Sequence, residues 1–228
     1  MTKKKQDSLA FYRYDDNHPF ASMYPLLARQ IVEDLGISRG RCLDIGTGGA
    51  PLLIELGKIT NCELSGLDVN PEALALAAQN ARSHGLPEGR CTFLEGDVHA
   101  MPLPDDYARL VVSRGSIPFW DDYVVAFREI YRVLQPGGLS FVGGGFSRFQ
   151  SLEEANRMRP DWARKDNPDK RARWLRREFL VEALAPLSQA DWRIIEDGYG
   201  TWVVMSKPAL TSISAGDSKG VPHAMPEL

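Results

Sequence analysis

Apolar positions along the chain alternate between two rhythms. From residue 19 to 35, Met23, Leu26, Leu27, Ile31, Val32 and Leu35 recur at helical spacing before Gly36, which predicts a helix over 19–35. Residues 41–45 read as a short buried strand and 51–58 as a helix. A second strand is expected at 62–67, ending at Asp68. Asn70-Pro71 is a helix start, with Asn70 as cap and Pro71 in the first turn, so 72–83 is expected to be helical. Further strands are expected at 91–94, 110–113 and 139–142, with a helix at 122–134 stopped by Pro136-Gly137-Gly138. Strands that alternate with helices imply an α/β fold with a parallel sheet covered on both faces. The rhythm then changes. After a helix at 177–187, strands at 192–196 and 201–206 are separated by only four residues, which suits a hairpin and an antiparallel edge strand.

Composition adds bounds. At 228 residues, 43% hydrophobic and 25% charged, the chain has the size and balance of one ordinary globular domain. A net charge of −3 gives no global pull toward nucleic acid or anionic membrane. No apolar run approaches the roughly 20 residues that span a bilayer, and the first lysines lack an apolar segment behind them. Cys42, Cys62 and Cys91 suggest no disulfide framework, which favours a reducing cytoplasm. The expected layout is a disordered start over 1–10, one domain over 11–208 and a disordered tail over 209–228. Within the domain, the helix at 19–35 and a basic insertion at 146–176 are expected to form a lid. That insertion carries nine Lys or Arg against five Asp or Glu.

The most informative stretch is Cys42-Leu43-Asp44-Ile45-Gly46-Thr47-Gly48-Gly49-Ala50-Pro51. An apolar strand runs into a glycine-rich turn that lets backbone approach a ligand closely. Asp44, just before the turn, would repel a pyrophosphate but suits a cationic amine. A nicotinamide-dependent oxidoreductase is disfavoured on both counts, since Pro51 also breaks the G-x-G-x-x-G pattern. In open α/β sheets ligands bind beyond the carboxyl ends of the strands. Asp44 and Gly46, Asp68, Asp97, Ser113 and Arg114, and Gly143 to Gly145 fall at five such ends.

This pattern resembles the D-x-G-x-G-x-G loop of class I S-adenosylmethionine (SAM) methyltransferases, with Ala50 replacing the last glycine. The run from Arg128 to Gly138 resembles the helix-to-strand turn of the small-molecule, methyltransferase-11-like members. A Ser-Arg-Gly-Ser and a Gly-Gly-Gly-Phe stretch look most like uncharacterised bacterial and archaeal ones. The resemblance implies a Rossmann-like, doubly wound, mostly parallel seven-stranded sheet whose last strand is antiparallel. It also implies SAM as cofactor, S-adenosylhomocysteine as product and a methyltransferase activity. By the same resemblance the cofactor would be held by Asp44, Gly46, Thr47, Gly48, Asp68, Val69, Asp97, Val98, Ser113 and Arg114. Asp44 would take the methionine amine, Asp68 the ribose hydroxyls and Asp97-Val98 the adenine.

The acceptor is less determined. Ser116-Ile117-Pro118-Phe119 stands where base-amine methyltransferases carry Asn/Asp-Pro-Pro-Tyr/Phe, so nucleic-acid bases are disfavoured. The three cysteines are expected at the amino ends of strands, away from the site, as buried small hydrophobes. Arg114 suits a carboxylate or phosphate, either on an anionic acceptor or on SAM itself; an ion pair with Asp97 or Asp121 is the plainer alternative. Trp120, Phe119 and Tyr24 are candidate walls of the acceptor pocket, and Arg114, His18 and Tyr24 are the candidate catalytic residues. His99 is a further possible base. Asp121-Asp122 reads as a helix cap, and no metal is expected. The expected function is methyl transfer to a small molecule, anionic or thiol-bearing, by a monomer or homodimer without membrane or nucleic-acid partners. Alternatives are an RNA or protein methyltransferase docking through the insertion, and a non-catalytic SAM-binding protein.

Overall fold

The computed structural model describes residues 12–159 and 176–209. Its element order is α1 (Met23–Leu35), β1 (Arg39–Ile45), α2 (Pro51–Ile59), β2 (Asn61–Asp68), α3 (Pro71–Ser83), β3 (Cys91–Glu95), β4 (Ala108–Arg114), α4 (Tyr123–Val133), β5 (Leu134–Gly145), α5 (Leu152–Met158), α6 (Arg177–Leu184), β6 (Asp191–Glu196) and β7 (Gly200–Ser206). The strands form one sheet in the order β3-β2-β1-β4-β5-β7-β6. Pairs among β1 to β5 are parallel, and β7 runs antiparallel to both β5 and β6.

The strand order reverses between β1 and β4. Crossovers leaving in opposite directions open a crevice at such a switch point. The glycine turn follows β1 there. Two apolar cores cover the faces, one built around α1, α2 and α3, the other around α4 and α6.

Predicted and observed elements agree to within about four residues, except that β5 begins at Leu134, ahead of the expected 139, and takes in Pro136-Gly137-Gly138; the reasons for the agreement are local. Asn70 caps α3 by accepting from the backbone N–H groups of Glu72 and Ala73, and Asp122 caps α4 through Val125. Three expectations change. β7 is antiparallel but not at the edge: it is inserted between β5 and β6, and β6 is the edge strand. The helix at 19–35 begins only at Met23, and Met23, Leu27 and Ile31 are fully buried, so α1 is core rather than a free lid. Cys42 lies in mid-strand, beside Leu64 and Leu110, not at the amino end. The described part of the insertion contains α5, closed by a capping box between Ser151 and Glu154. The expected disordered ends at 1–10 and 209–228, apart from residue 209 itself, and residues 160–175 of the insertion, lie outside the described residues. No described helix is long and apolar enough to cross a membrane.

Candidate active site

A cleft of about 1210 Å3 opens over the carboxyl ends of β1, β2, β4 and β5. Its floor is the glycine turn. Gly46 and Thr47 donate their backbone N–H groups to Leu67 O at 2.8 and 3.0 Å, which folds the turn back over β2. Gly46 has φ +67°, and a Cβ there would lie 2.3 Å from Ser116 Cβ. At Gly49 a Cβ would lie 1.8 Å from Tyr12 O. Only glycine fits either place. Ala50, where the third and last glycine of the pattern would stand, keeps the left-handed conformation that glycine would favour, with φ 61°. The alanine therefore preserves the turn at a local cost of about 1 kcal/mol.

Three acids stand at successive strand ends. Asp44 is buried, 3% exposed, and accepts from Thr47 Oγ1 at 2.8 Å. Burial raises its carboxyl to about 7, the Thr47 hydroxyl opposes that, and the charge of Asp68 adds to it. Asp68 is tied into the turn: Oδ2 accepts from Gly48 N at 2.8 Å and Oδ1 from Asn70 N at 2.9 Å. Each of its oxygens retains a further acceptor position. Asp97 Oδ1 accepts from the backbone N–H of His99 at 2.8 Å and from His99 Nδ1. The His99 backbone bond, with a lesser contribution from the ring, holds Asp97 below its usual range against the opposing effect of burial. His99 Nε2 accepts from Asp122 N at 3.1 Å, which assigns the ring proton to Nδ1.

The remaining expected residues divide. Val69, Val98 and Thr47 line the cleft, as do Gly46 and Gly48. Ser113 does not: it is fully buried, its hydroxyl donating to Ile45 O at 2.7 Å and meeting Ser116 Oγ at 2.5 Å, so it braces the turn from below. Tyr24, His18 and Arg114 converge on the cleft wall. His18 Nδ1 accepts from Phe20 N at 3.1 Å, and its ring packs against Tyr14, Phe20 and Tyr24. Arg114 donates to Gly145 O at 3.2 Å and to Tyr24 Oη at 3.3 Å, and lies 4.3 Å from the Phe20 ring centroid. Among the described residues neither Asp97 nor Asp121 pairs with it. Phe119 is 83% exposed at the mouth, whereas Trp120 lines the cleft from the core, packed on Tyr123 and Phe127. Asp122 acts as the expected helix cap.

Sequence reasoning missed the strap ahead of α1. Tyr12 lies over Gly48, and Asn80 Nδ2 donates at 2.8 Å to both Tyr12 O and Gly49 O. Tyr14 anchors the strap through its hydroxyl to Glu55 at 2.9 Å. Phe20 and Phe146 complete the apolar wall. The cluster of aromatics at Tyr12, Tyr14 and Phe20 was the available signal.

Comparison with known proteins bears on the fold and the family. A family model described as a methyltransferase domain matches residues 43–142. A solved structure from Methanococcus maripaludis, assigned as an S-adenosyl-L-methionine-dependent methyltransferase, is 32% identical with a TM-score of 0.76, covering 92% of this chain and 94% of that one. The chain belongs to the SAM-dependent methyltransferase family. Among curated members, the chloroplastic 2-methyl-6-phytyl-1,4-hydroquinone methyltransferase of Arabidopsis thaliana is 37% identical over 46% of this chain and 30% of that protein. The demethylmenaquinone methyltransferase of Thermus thermophilus is 35% identical over 48% of this chain and 50% of that protein. The chain thus spans half or less of the length of these two relatives. The floor of the cleft fits the family's cofactor: a backbone turn closed to any side chain, a buried acid for an amine and an acid with spare acceptor positions for a diol.

Proposed function

We propose that this protein transfers the methyl group of SAM to a small-molecule acceptor bound in the same cleft. The observation that carries the reading is the buried Asp44 carboxyl beside the glycine turn. A buried acid with a carboxyl near 7 is costly to ionise, and a cationic ligand amine would offset that cost. Asp68 would accept from the ribose hydroxyls, and Asp97 Oδ2, with no bond among the described residues, from the adenine amine. The nearby Val98 backbone would meet the adenine ring.

The bound cofactor supplies an already activated methyl group on a sulfonium. The protein's task is then alignment and exclusion of water. The strap from Tyr12 to Phe20, with Phe146, Pro118 and Phe119, walls the side of the cleft left for the acceptor. These apolar surfaces suit a small, largely apolar molecule. The hydroquinone and demethylmenaquinone acceptors in the names of the relatives are of that kind. His18 and Tyr24 are the candidate groups to take or guide a proton where the acceptor must lose one. A methyl-transfer assay with tritiated SAM and a panel of small phenols, quinols and thiols tests the reading. Label transfer to a panel member, lost in Asp44→Asn, is the expected result. Tight SAM binding with no transfer to any acceptor class would favour a non-catalytic SAM-binding protein.

A further inference from the structure

We infer that the far end of the cleft is a lobe that holds the acceptor by a neutral oxygen, with the Thr201 hydroxyl as its anchor. This deepens the methyltransferase reading and rests on it. The lobe lies over β5 and β7, where Gly144, Gly145, Gly200 and Thr201 line the cleft. Thr201 pairs with Gly144 of β5 on one side and with Glu196 of β6 on the other, so its backbone is fixed within the sheet. Asp197 holds the turn before it, accepting from the backbone N–H groups of Tyr199 and Gly200 at 3.0 and 3.2 Å. Of the four residues, Thr201 alone carries a side chain. It is 8% exposed, yet its Oγ1 has no hydrogen bond among the described residues. Buried polar groups nearly always have a partner, so an unpaired one on a cleft wall points to a ligand.

A second unpaired group adjoins the same floor. Trp202 Nε1 is buried without a partner and lies 2.9 Å from the place where a Cβ on Gly200 would stand. A hydroxyl beside an N–H that can only donate suits a carbonyl or hydroxyl oxygen, not an ammonium. The charges at the rim are turned elsewhere. Arg159 donates to Gly198 O at 2.6 Å and to Tyr199 O at 3.3 Å, and stands 5.3 Å from the Phe146 ring centroid. Glu196 lies 3.8 Å from Arg177. With Phe20 and Phe146 lining the same cleft, the lobe suits an uncharged oxygen on an apolar framework. Length narrows the class further. Neighbouring strands lie about 4.8 Å apart, so Thr201 on β7 stands two spacings, about 10 Å, from the end of β4. A methyl group delivered over the switch point between β1 and β4 meets the near end of the acceptor. A single ring placed there falls short of Thr201, whereas two fused rings with an oxygen at the far end reach it. A small thiol or anion would leave Thr201 unused.

The test uses naphthalene-2,6-diol, which carries an oxygen at each end of two fused rings, titrated by calorimetry into protein saturated with S-adenosylhomocysteine. Thr201→Val keeps the shape of the side chain and loses the hydroxyl. It is expected to weaken the diol about tenfold, the size of one hydrogen bond left unmade, with unchanged affinity for S-adenosylhomocysteine, which also shows that the cleft is folded. Thr201→Ser keeps the hydroxyl and is expected to stay within about threefold of wild type for the diol. Equal affinity of wild type and Thr201→Val for the diol, or the same loss in both variants, would overturn the anchor. Absence of diol binding to wild type that does bind S-adenosylhomocysteine would overturn the assignment of the lobe to this acceptor class. Absence of S-adenosylhomocysteine binding to folded wild type would overturn the parent reading as well.

Discussion

The two ends of the cleft are built differently. The end beneath β1 to β3 is made of backbone and short acids that follow strands adjacent in sequence, with Gly48 and Asp68 20 residues apart. Gly46, Thr47 and Gly48 bond to Leu67 O and Asp68, and Asp97 is held by its neighbour two residues on. The end beneath β4 and β5 is made of side chains brought from far apart. Arg114 meets Tyr24 across 90 residues, and Ser147 reaches Gln30 across 117. One end is a local motif closed by hydrogen bonds, and the other is an aromatic wall closed by tertiary packing. A site of this form can keep one ligand end constant while the other changes with few substitutions.

Substitutions at the motif end should have the larger effects. Gly46→Ala places a Cβ on Ser116 in a left-handed residue, and is expected to cost about 3 kcal/mol in urea denaturation. An equal loss from Phe119→Ala, exposed at the other end, would erase the distinction.

Asp44→Asn sharpens it by separating stability from binding. The carboxyl of Asp44 is raised in the folded state, so the folded protein holds that proton more tightly than the unfolded chain. This group's contribution is therefore greatest at low pH and is lost as pH rises from about 4 to about 7. Asp44→Asn is expected to flatten that part of the stability profile in the ligand-free protein, yet to weaken S-adenosylhomocysteine by about tenfold or more. Calorimetry in buffers of different ionisation heat should show proton release when wild type binds near pH 7, and none from the variant.

Smaller effects concern the seam between the two ends. Asn80→Ala removes two bonds, to Tyr12 O and Gly49 O, and is expected to cost about 1.5 kcal/mol and to loosen the strap. Protection of the strap's amides from hydrogen exchange would report this. Ala50→Gly relieves the left-handed alanine but frees the unfolded chain, so its change in thermal midpoint should correspond to at most about 1 kcal/mol.

The same contrast explains what was legible in the sequence. The Asp44-to-Pro51 turn, the acid at Asp68 and the Asn70 cap are local, and each follows from spacing. The antiparallel β7 was readable from the short link before it, but its place inside β6 was not, because pairing with Gly143 and Val142 of β5 is set by tertiary register. Ser113 looked like a cleft residue because strand ends usually are; its hydroxyl faces Ile45 O instead, an orientation that strand spacing leaves open. The helix at 19–35 was expected to form a lid together with the basic insertion. The buried Met23, Leu27 and Ile31 make its apolar face core, and only Phe20 and Tyr24 reach the ligand side.

The most direct test is titration of S-adenosylhomocysteine into wild type and Asp68→Ala, with circular dichroism to confirm that both are folded. Asp68 supports the turn through Gly48 and would also receive the ribose, so micromolar binding in wild type and its loss in the variant are the predicted result. Binding that is absent from folded wild type, or unchanged in Asp68→Ala, would contradict the assignment of the glycine turn as the cofactor site.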